Sequence, residues 1–138
     1  MLRADLTDGE AVTGEGIQRR LAAVLAADVA GYGRLMGADE EGALARLKDI
    51  KKTVADPILA AHRSRIVKAR SGRLLVEFAS AVDAVRSAVE IQRSVAEHNA
   101  DTPRENRIEF RIGIHVGDIM FDEDDIFGDS VNIAARLE

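Results

Sequence analysis

The sequence contains no cysteine and no tryptophan among its 138 residues. Without cysteine the chain has no disulfide framework, no thiolate zinc site and no cysteine nucleophile, and nothing points to an oxidising compartment. Aromatic residues make up only 4% of the chain, so few rings are available to stack on nucleic-acid bases. These absences predict a cytoplasmic protein whose core is built from Ala, Val, Leu and Ile.

Long apolar runs are also lacking. No stretch reaches the roughly 18 apolar residues that a membrane span needs, and the first residues hold no signal-peptide core, so we expect no membrane insertion. A formal net charge of −5 disfavours nucleic acid as a partner. Residues 1–18 are polar and acidic, and we expect a flexible leader followed by one domain at 19–138.

Apolar periodicity predicts alternating strands and helices after the leader. The run from Leu21 to Val29 is apolar except for Asp28, which is typical of a buried strand that ends at a carboxylate. A helical pattern follows Asp39, and Pro57 starts a second helix or breaks the first. Two further strands are predicted at 64–69 and 73–78, with a tight turn at Ser71 and Gly72 between them.

The second half of the chain carries the clearest patterns. Ser80 and Asp83 resemble a capping box, which predicts a helix up to Asn99. We expect its apolar face to contain Val82, Val85, Val89 and Ala96. Residues 108–117 alternate strictly between apolar and other side chains, as in a half-buried strand. A short strand at 119–121, an acidic turn at 122–125 and a helix from about Asp129 complete an α+β fold, a ferredoxin-like antiparallel sheet with helices on one face.

Asp28 is the first candidate functional residue. A carboxylate at the end of an apolar strand is costly to bury unless a cation, hydrogen-bond donors or solvent compensates it. The strand could simply reach the surface there, or Asp28 could cap a helix over residues 31–36. Metal ligation is the third interpretation.

A basic segment follows. Five cationic residues and no acidic residue lie within 63–73, which could attract phosphate or form a solvated face; they are Arg63, Arg65, Lys68, Arg70 and Arg73. Residues 71–78 superficially resemble an RNA-binding strand motif, but Arg73 and Leu75 stand where that motif needs aromatic rings.

The remaining polar candidates carry weaker signals. His115 lies on the polar side of the alternating strand, and we assign it no role. The acidic cluster at 122–125 lacks the spacing of a calcium loop and is interpreted as a solvated turn. Asn132 and Arg136 are four residues apart, so a helix presents both on one face.

Five segments, in this order and spacing, resemble the class III nucleotidyl cyclase catalytic domain of adenylate and guanylate cyclases. They are LAADVAGYGRLM, RIVKARSGRLLVEF, AVDAVRSAVEIQRSV, FRIGIHVGDI and DIFGDSVNIAARLE. The resemblance covers residues 19–138. It implies that the ribose 3′-hydroxyl of a nucleoside triphosphate attacks the α-phosphate, which yields a cyclic nucleotide and pyrophosphate.

The resemblance also implies roles for individual residues. Asp28 and the Val29 backbone carbonyl would bind Mg²⁺ or Mn²⁺. Lys68 and Asp125 match the pair that reads adenine, so ATP is the implied substrate and cyclic AMP the implied product. In the implied mechanism, two more residues take part in catalysis; Asn132 would orient the ribose and Arg136 would stabilise the transferring phosphoryl group.

The family's sites lie between two domains, which implies a homodimer or a heterodimer with another cyclase domain. Two departures predict weak or absent activity. Gly72 stands where the family has a second metal-binding aspartate, and the chain ends at Glu138, where the family domain continues, so we expect a C-terminally truncated domain. The alternatives are the regulatory half of a heterodimeric cyclase and a non-catalytic nucleotide-binding or dimerisation module. Restoring the carboxylate with Gly72→Asp is expected to create activity if the domain assembles.

Overall fold

The computed structural model describes residues 12–13, 17–122, 125–127 and 137. The strands of these regions are β1 (Val12–Thr13), β2 (Ile17–Val29), β3 (Ser64–Arg70), β4 (Arg73–Phe78), β5 (Phe110–Asp122) and β6 (Asp125–Phe127). The α-helices are α1 (Tyr32–Ala38), α2 (Glu40–Ile50), α3 (Asp56–Ala61) and α4 (Ala81–His98). A π-helical turn, Lys51–Ala55, joins α2 to α3, and a 3₁₀ turn, Arg104–Asn106, precedes β5.

All six strands form one antiparallel sheet, which confirms the predicted α+β class. The order is β3-β4-β2-β5-β6, and β1 pairs with the start of β2. The two strands predicted at 108–117 and 119–121 are one continuous strand, β5, because it pairs with β2 along the whole length of that strand. Cα atoms of β6 come within 8 Å of Cα atoms of β3.

The main core lies between the sheet and the helices. Alternate residues of β2 and β4 face this side, among them Leu25, Val76 and Phe78, which are buried with the helical residues Leu35 and Ile91. The intervening positions of β2 face the other side of the sheet. There Val24 and Ala26 form a smaller buried cluster, against which side chains of β3 and β4 pack.

The predicted starts of two helices are confirmed by local hydrogen bonds. The Asp39 carboxylate caps α2 by accepting from the Gly42 N–H at 3.1 Å. The Ser80 hydroxyl caps α4 by accepting from the Asp83 N–H at 3.3 Å. Pro57 lies in the first turn of α3, where its missing N–H costs little.

The expected apolar face of α4 is wrong. Its buried residues are Ala84, Ser87, Ile91 and Val95, whereas Val82, Val85 and Val89 are 58%, 52% and 42% exposed. Both sets recur at helical spacing, so the pattern allows either face. Packing against the sheet buries the stripe that begins with the small residues Ala84 and Ser87, which let the helix approach the sheet closely.

Two expectations concern the ends of the chain. Of the predicted leader at 1–18, residues 12–13 and 17–18 belong to the sheet, and the rest lies outside the described residues. The predicted final helix from about Asp129 also lies outside them, except that Leu137 is helical. In the described part of the chain, no helix combines the length and the apolar character that crossing a bilayer requires.

An ion-pair cluster joins α3 to α4 and predicts a pH-dependent stability. The His62 imidazole contacts the Glu90 carboxylate, and its Nδ1 lies 3.4 Å from Asp83 Oδ1. The hydrogen bond to Glu90, reinforced by Asp83, raises the pKa of His62 above its ordinary value of 6.5, against an opposing effect of desolvation. Because the folded-state pKa is the higher one, this contribution is complete below about pH 6.5 and is lost as the pH rises through the folded-state pKa.

We therefore expect the difference in melting temperature between the wild type and His62→Gln to shrink as the pH rises from about 5.5 to about 8.5, a range that brackets the titration of a histidine. Thermal denaturation followed by circular dichroism measures it. His98→Gln is the matched control, because His98, at the other end of α4, pairs with Asp49 of α2 instead. A difference that is constant with pH would contradict the assignment.

Candidate active site

Asp28 lies near the end of β2 and is buried, with 8% of its surface exposed. Its carboxylate accepts two hydrogen bonds from one guanidinium, because Arg111 Nε donates to Oδ1 and Nη2 donates to Oδ2, both at 2.9 Å. This bidentate ion pair is the compensation that the burial requires. The interpretation of Asp28 as a helix cap is wrong, since Gly31 is the N-cap of α1 and no side chain caps it.

Asp28 is the centre of a row of charges across four strands. In the sheet register it stands directly opposite Arg73 on one side and Arg111 on the other, and Arg70 stands opposite Arg73. Directly opposed residues share a face, so three guanidinium groups and one carboxylate lie on the side of the sheet away from the main core. We call these residues the arginine row.

The arginine row bears on the predicted metal site. Mg²⁺ and Mn²⁺ require several hard oxygen ligands. Both oxygens of Asp28 are engaged by Arg111, and Arg73 of β4 stands directly opposite Asp28, where its charge repels a metal ion. Among the described residues no group of three or more His, Asp or Glu side chains could hold a metal ion. The donors present, Asp28 and the Val29 carbonyl, do not fit a two-metal site.

Gly72 occupies a turn that holds the end of β2. Ser71 and Gly72 have φ values of 52° and 77°, the left-handed conformation of a two-residue hairpin turn. The Val29 N–H donates to the Gly72 carbonyl at 3.0 Å. A Cβ at position 72 would lie 2.5 Å from Tyr32 Cδ1. The effect of Gly72→Asp on activity therefore stays a prediction, and the positive φ and the ring of Tyr32 add a conformational cost to that substitution.

We expect Gly72→Ala to lower the free energy of unfolding by about 1–2 kcal/mol, since a non-glycine residue at positive φ is strained and its Cβ must displace the tyrosine ring. Urea denaturation measures the change. The control is Gly33→Ala, because a Cβ at position 33 meets nothing within 4 Å. If Gly72→Ala were as stable as the control, the tight packing of the turn on Tyr32 would be disproved.

The structure places the predicted base-reading residues on neighbouring elements. Lys68 is exposed on β3, directly after a register shift, and stands opposite Leu75, on the same face as the arginine row. Asp125 begins β6 and stands opposite Asp122, while its side chain lies outside the described residues. Because β6 approaches β3, the segment that carries Asp125 lies beside the strand that carries Lys68.

Asn132 and Arg136 lie outside the described residues, so their roles stay predictions. The basic segment at 63–73 divides into two parts. Arg65 Nε donates to the buried carboxylate of Glu77 at 2.9 Å, which is a structural contact. Arg70 and Arg73 belong instead to the arginine row.

Arg111 is the site residue that the sequence analysis missed. Its only signal is its place on the polar side of the strictly alternating strand, two residues before Gly113. The strand pattern predicts which side of the sheet it faces, but not that Asp28, 83 residues earlier, stands opposite it.

The comparisons with known proteins concern the family and the fold. The family model described as the adenylate and guanylate cyclase catalytic domain matches residues 23–138. A crystal structure of an adenylate/guanylate cyclase/hydrolase from Silicibacter pomeroyi is 48% identical, with a TM-score of 0.83, over 88% of this chain and 71% of that chain. The guanylyl cyclase Cya2 shares the fold at 23% identity, with a TM-score of 0.76, over 90% of this chain and 72% of that chain.

Two curated relatives are much longer than this chain. A Rhizobium meliloti (strain 1021) protein assigned as adenylate cyclase 3 is 46% identical over 124 residues, which are 90% of this chain and 21% of that protein. An adenylate cyclase of Streptomyces coelicolor is 35% identical over 89% of this chain and 30% of its own length. The chain thus spans less than a third of either relative. From the family match and these identities, the chain belongs to the family of adenylate and guanylate cyclase catalytic domains.

Proposed function

We propose that the chain is an adenylate cyclase-type domain that binds ATP and converts it to cyclic AMP and pyrophosphate at a low rate, because its metal-ligand set is incomplete. The observation that supports the proposed low rate is the arginine row around Asp28. Asp28 corresponds to a metal-binding aspartate of the family, but Arg111 holds its carboxylate and Arg73 stands opposite it.

The reaction forms one bond and breaks one. The ribose 3′-oxygen bonds to the α-phosphorus, the bond from that phosphorus to the bridging oxygen of the β-phosphate breaks, and pyrophosphate leaves with the electron pair. The 3′-hydroxyl proton passes to solvent. Asn132 holds the ribose so that the 3′-oxygen faces the phosphorus, and Arg136 donates to the phosphoryl oxygens as their charge grows. Lys68 and Asp125 bind the adenine.

The site is completed by a second domain, as a homodimer or with another cyclase chain. In support of this arrangement, the side of the sheet that carries the arginine row is also the side of Lys68. A partner that covers this side would supply its own Asn and Arg to Asp28 and Lys68, while Asn132 and Arg136 serve the partner's site.

The testing experiment measures cyclic AMP from ATP with Mn²⁺ or Mg²⁺, together with the mass of the protein in solution. The expected result is a low rate that rises with the dimer fraction and disappears in Arg136→Ala. The matched control is Arg104→Ala, an exposed arginine in the 3₁₀ turn. A folded dimer that yields no cyclic AMP with either metal would refute the catalytic proposal.

That negative result would favour the second candidate function, a non-catalytic nucleotide-binding or dimerisation module. The favouring observation is that Arg111 engages both oxygens of Asp28. A module of this kind would bind ATP equally well with Mg²⁺ and with EDTA, since its cations come from the protein. Calorimetric titration under the two conditions separates the candidates.

A further inference from the structure

A cavity of about 210 Å³ lies on the helix side of the sheet, and its lining extends to Arg70 and Arg73 at the hairpin end of the arginine row. Its floor is formed by strand residues of the main core, and its wall by α1, α2 and the β3–β4 hairpin. Apolar residues dominate the lining, among them Leu25, Leu47, Leu74, Ile91, Phe110 and Ile112.

The size and lining of this cavity distinguish it from an ordinary packing gap. An apolar cavity of about 150 Å³ is large enough to bind benzene, and this one is larger. Water fills such a space poorly, because a buried water needs polar partners that aliphatic walls do not offer. Left empty, the cavity deprives its lining atoms of dispersion contacts. An apolar molecule somewhat larger than benzene would restore them.

The described charged residues around the cavity are all cationic. The described residues that line it include four cationic and no acidic side chains, although the whole chain carries −5. The cations are Lys48, Lys51, Arg70 and Arg73. The exposed Lys48 and Lys51 belong to the helical wall, whereas the register of β3 and β4 places the side chains of Arg70 and Arg73 on the opposite face of the sheet. Lys51 also donates to the Asp56 carboxylate, at 2.9 and 3.1 Å.

We propose that this cavity is a binding site for an apolar monocarboxylate, of the class of a medium-chain fatty acid. The hydrocarbon occupies the aliphatic interior and the carboxylate meets Lys48 at the opening. This site goes beyond the proposed function and does not rest on it, since neither ATP nor a metal ion takes part in the binding.

The chain provides its own reporter for the test. It has one tyrosine and no tryptophan, and that tyrosine, Tyr32, lines the cavity. Titration with decanoate, below its micellar concentration, is expected to change the tyrosine fluorescence saturably at one ligand per chain, with a Kd of the order of 10–100 µM. The neutral analogue 1-decanol is expected to bind about tenfold more weakly.

Two variants test the role of charge by isothermal calorimetry. Lys48→Gln is expected to weaken decanoate binding about fivefold to tenfold and to leave decanol binding unchanged, because only the carboxylate meets that ammonium. Lys52→Gln is the matched control, since Lys52 is exposed but does not line the cavity. The proposal is overturned if decanoate causes no saturable change in the wild type. It is equally overturned if decanol binds as tightly as decanoate, or if Lys48→Gln behaves like its control.

Discussion

Replacing Arg73 with aspartate is expected to raise the affinity of the chain for Mn²⁺ by about a hundredfold. Position 73 stands directly opposite Asp28 in the register of β2 and β4, so the new carboxylate shares its face one strand away. The change removes a cation that repels Mn²⁺ and adds an oxygen ligand on the neighbouring strand, about 5 Å from Asp28. Because position 73 is exposed, the dielectric constant is close to that of water, and a change of two unit charges about 5 Å from a divalent ion is worth about 3 kcal/mol, or a factor of about a hundred.

The advantage of position 73 over position 72 is geometric. Arg73 is an ordinary strand residue, whereas Gly72 has a positive φ and packs on Tyr32. Arg73→Asp therefore supplies the carboxylate without straining the turn. If the chain has the proposed cyclase activity, the rate of cyclic AMP formation rises together with the Mn²⁺ affinity.

Calorimetric titration with Mn²⁺ measures the effect, and two variants serve as controls. Arg73→Gln removes the cation without adding a ligand and should give about a tenfold gain, the share that belongs to repulsion alone. Arg70→Asp places the same charge one strand further from Asp28 and should give less than Arg73→Asp. An unchanged Mn²⁺ affinity in folded Arg73→Asp would show that Arg73 does not limit metal binding.

Arg111→Met is expected to lower the free energy of unfolding by about 2–3 kcal/mol at neutral pH. The substitution keeps an apolar stem of similar length but leaves the Asp28 carboxylate, whose side chain is 12% exposed, without its two hydrogen bonds. A charged group stranded in this way costs more than the pair contributes. Because the Arg111 side chain is 57% exposed, solvent screens the pair and keeps the cost below that of a fully buried one.

Urea denaturation of a double-mutant cycle tests this prediction. Asp28→Asn/Arg111→Met should recover most of the lost stability, because the stranded charge is then absent. Arg93→Met, an exposed arginine on α4, controls for the loss of a surface cation. If the single variant Arg111→Met were as stable as Arg93→Met, the pair would contribute nothing, and Asp28 would be compensated in another way.

Several features of this protein could be predicted from short stretches of sequence. Ser80 and Asp39 start helices because their side chains cap backbone N–H groups three residues ahead, a contact that stays within one turn. Ser71 and Gly72 define the hairpin, because glycine tolerates the left-handed conformation. The alternation at 108–117 predicts a strand for the same reason, since it repeats the two-residue period of the backbone.

The buried face of α4 and the continuity of β5 could not be predicted, because both depend on other parts of the chain. The helical spacing predicts an apolar face of α4 with Val82, Val85 and Val89, although the buried face carries Ile91 and Val95. The rotation of a helix about its axis depends on the surface against which it packs, and that surface is formed by other parts of the chain. For the same reason, the pattern could not show that the two predicted strands after Ile108 are one.

The sequence by itself determined the family, the antiparallel α+β class and the unusual carboxylate at the end of β2. It also predicts a departure from the family pattern at Gly72. The tertiary structure alone decided what surrounds these positions, because it brought Arg73 and Arg111 to either side of Asp28 and placed Tyr32 against Gly72. Motifs and periodicity record local chemistry, whereas strand register joins residues that are distant in the chain, and here it set the charge of the site.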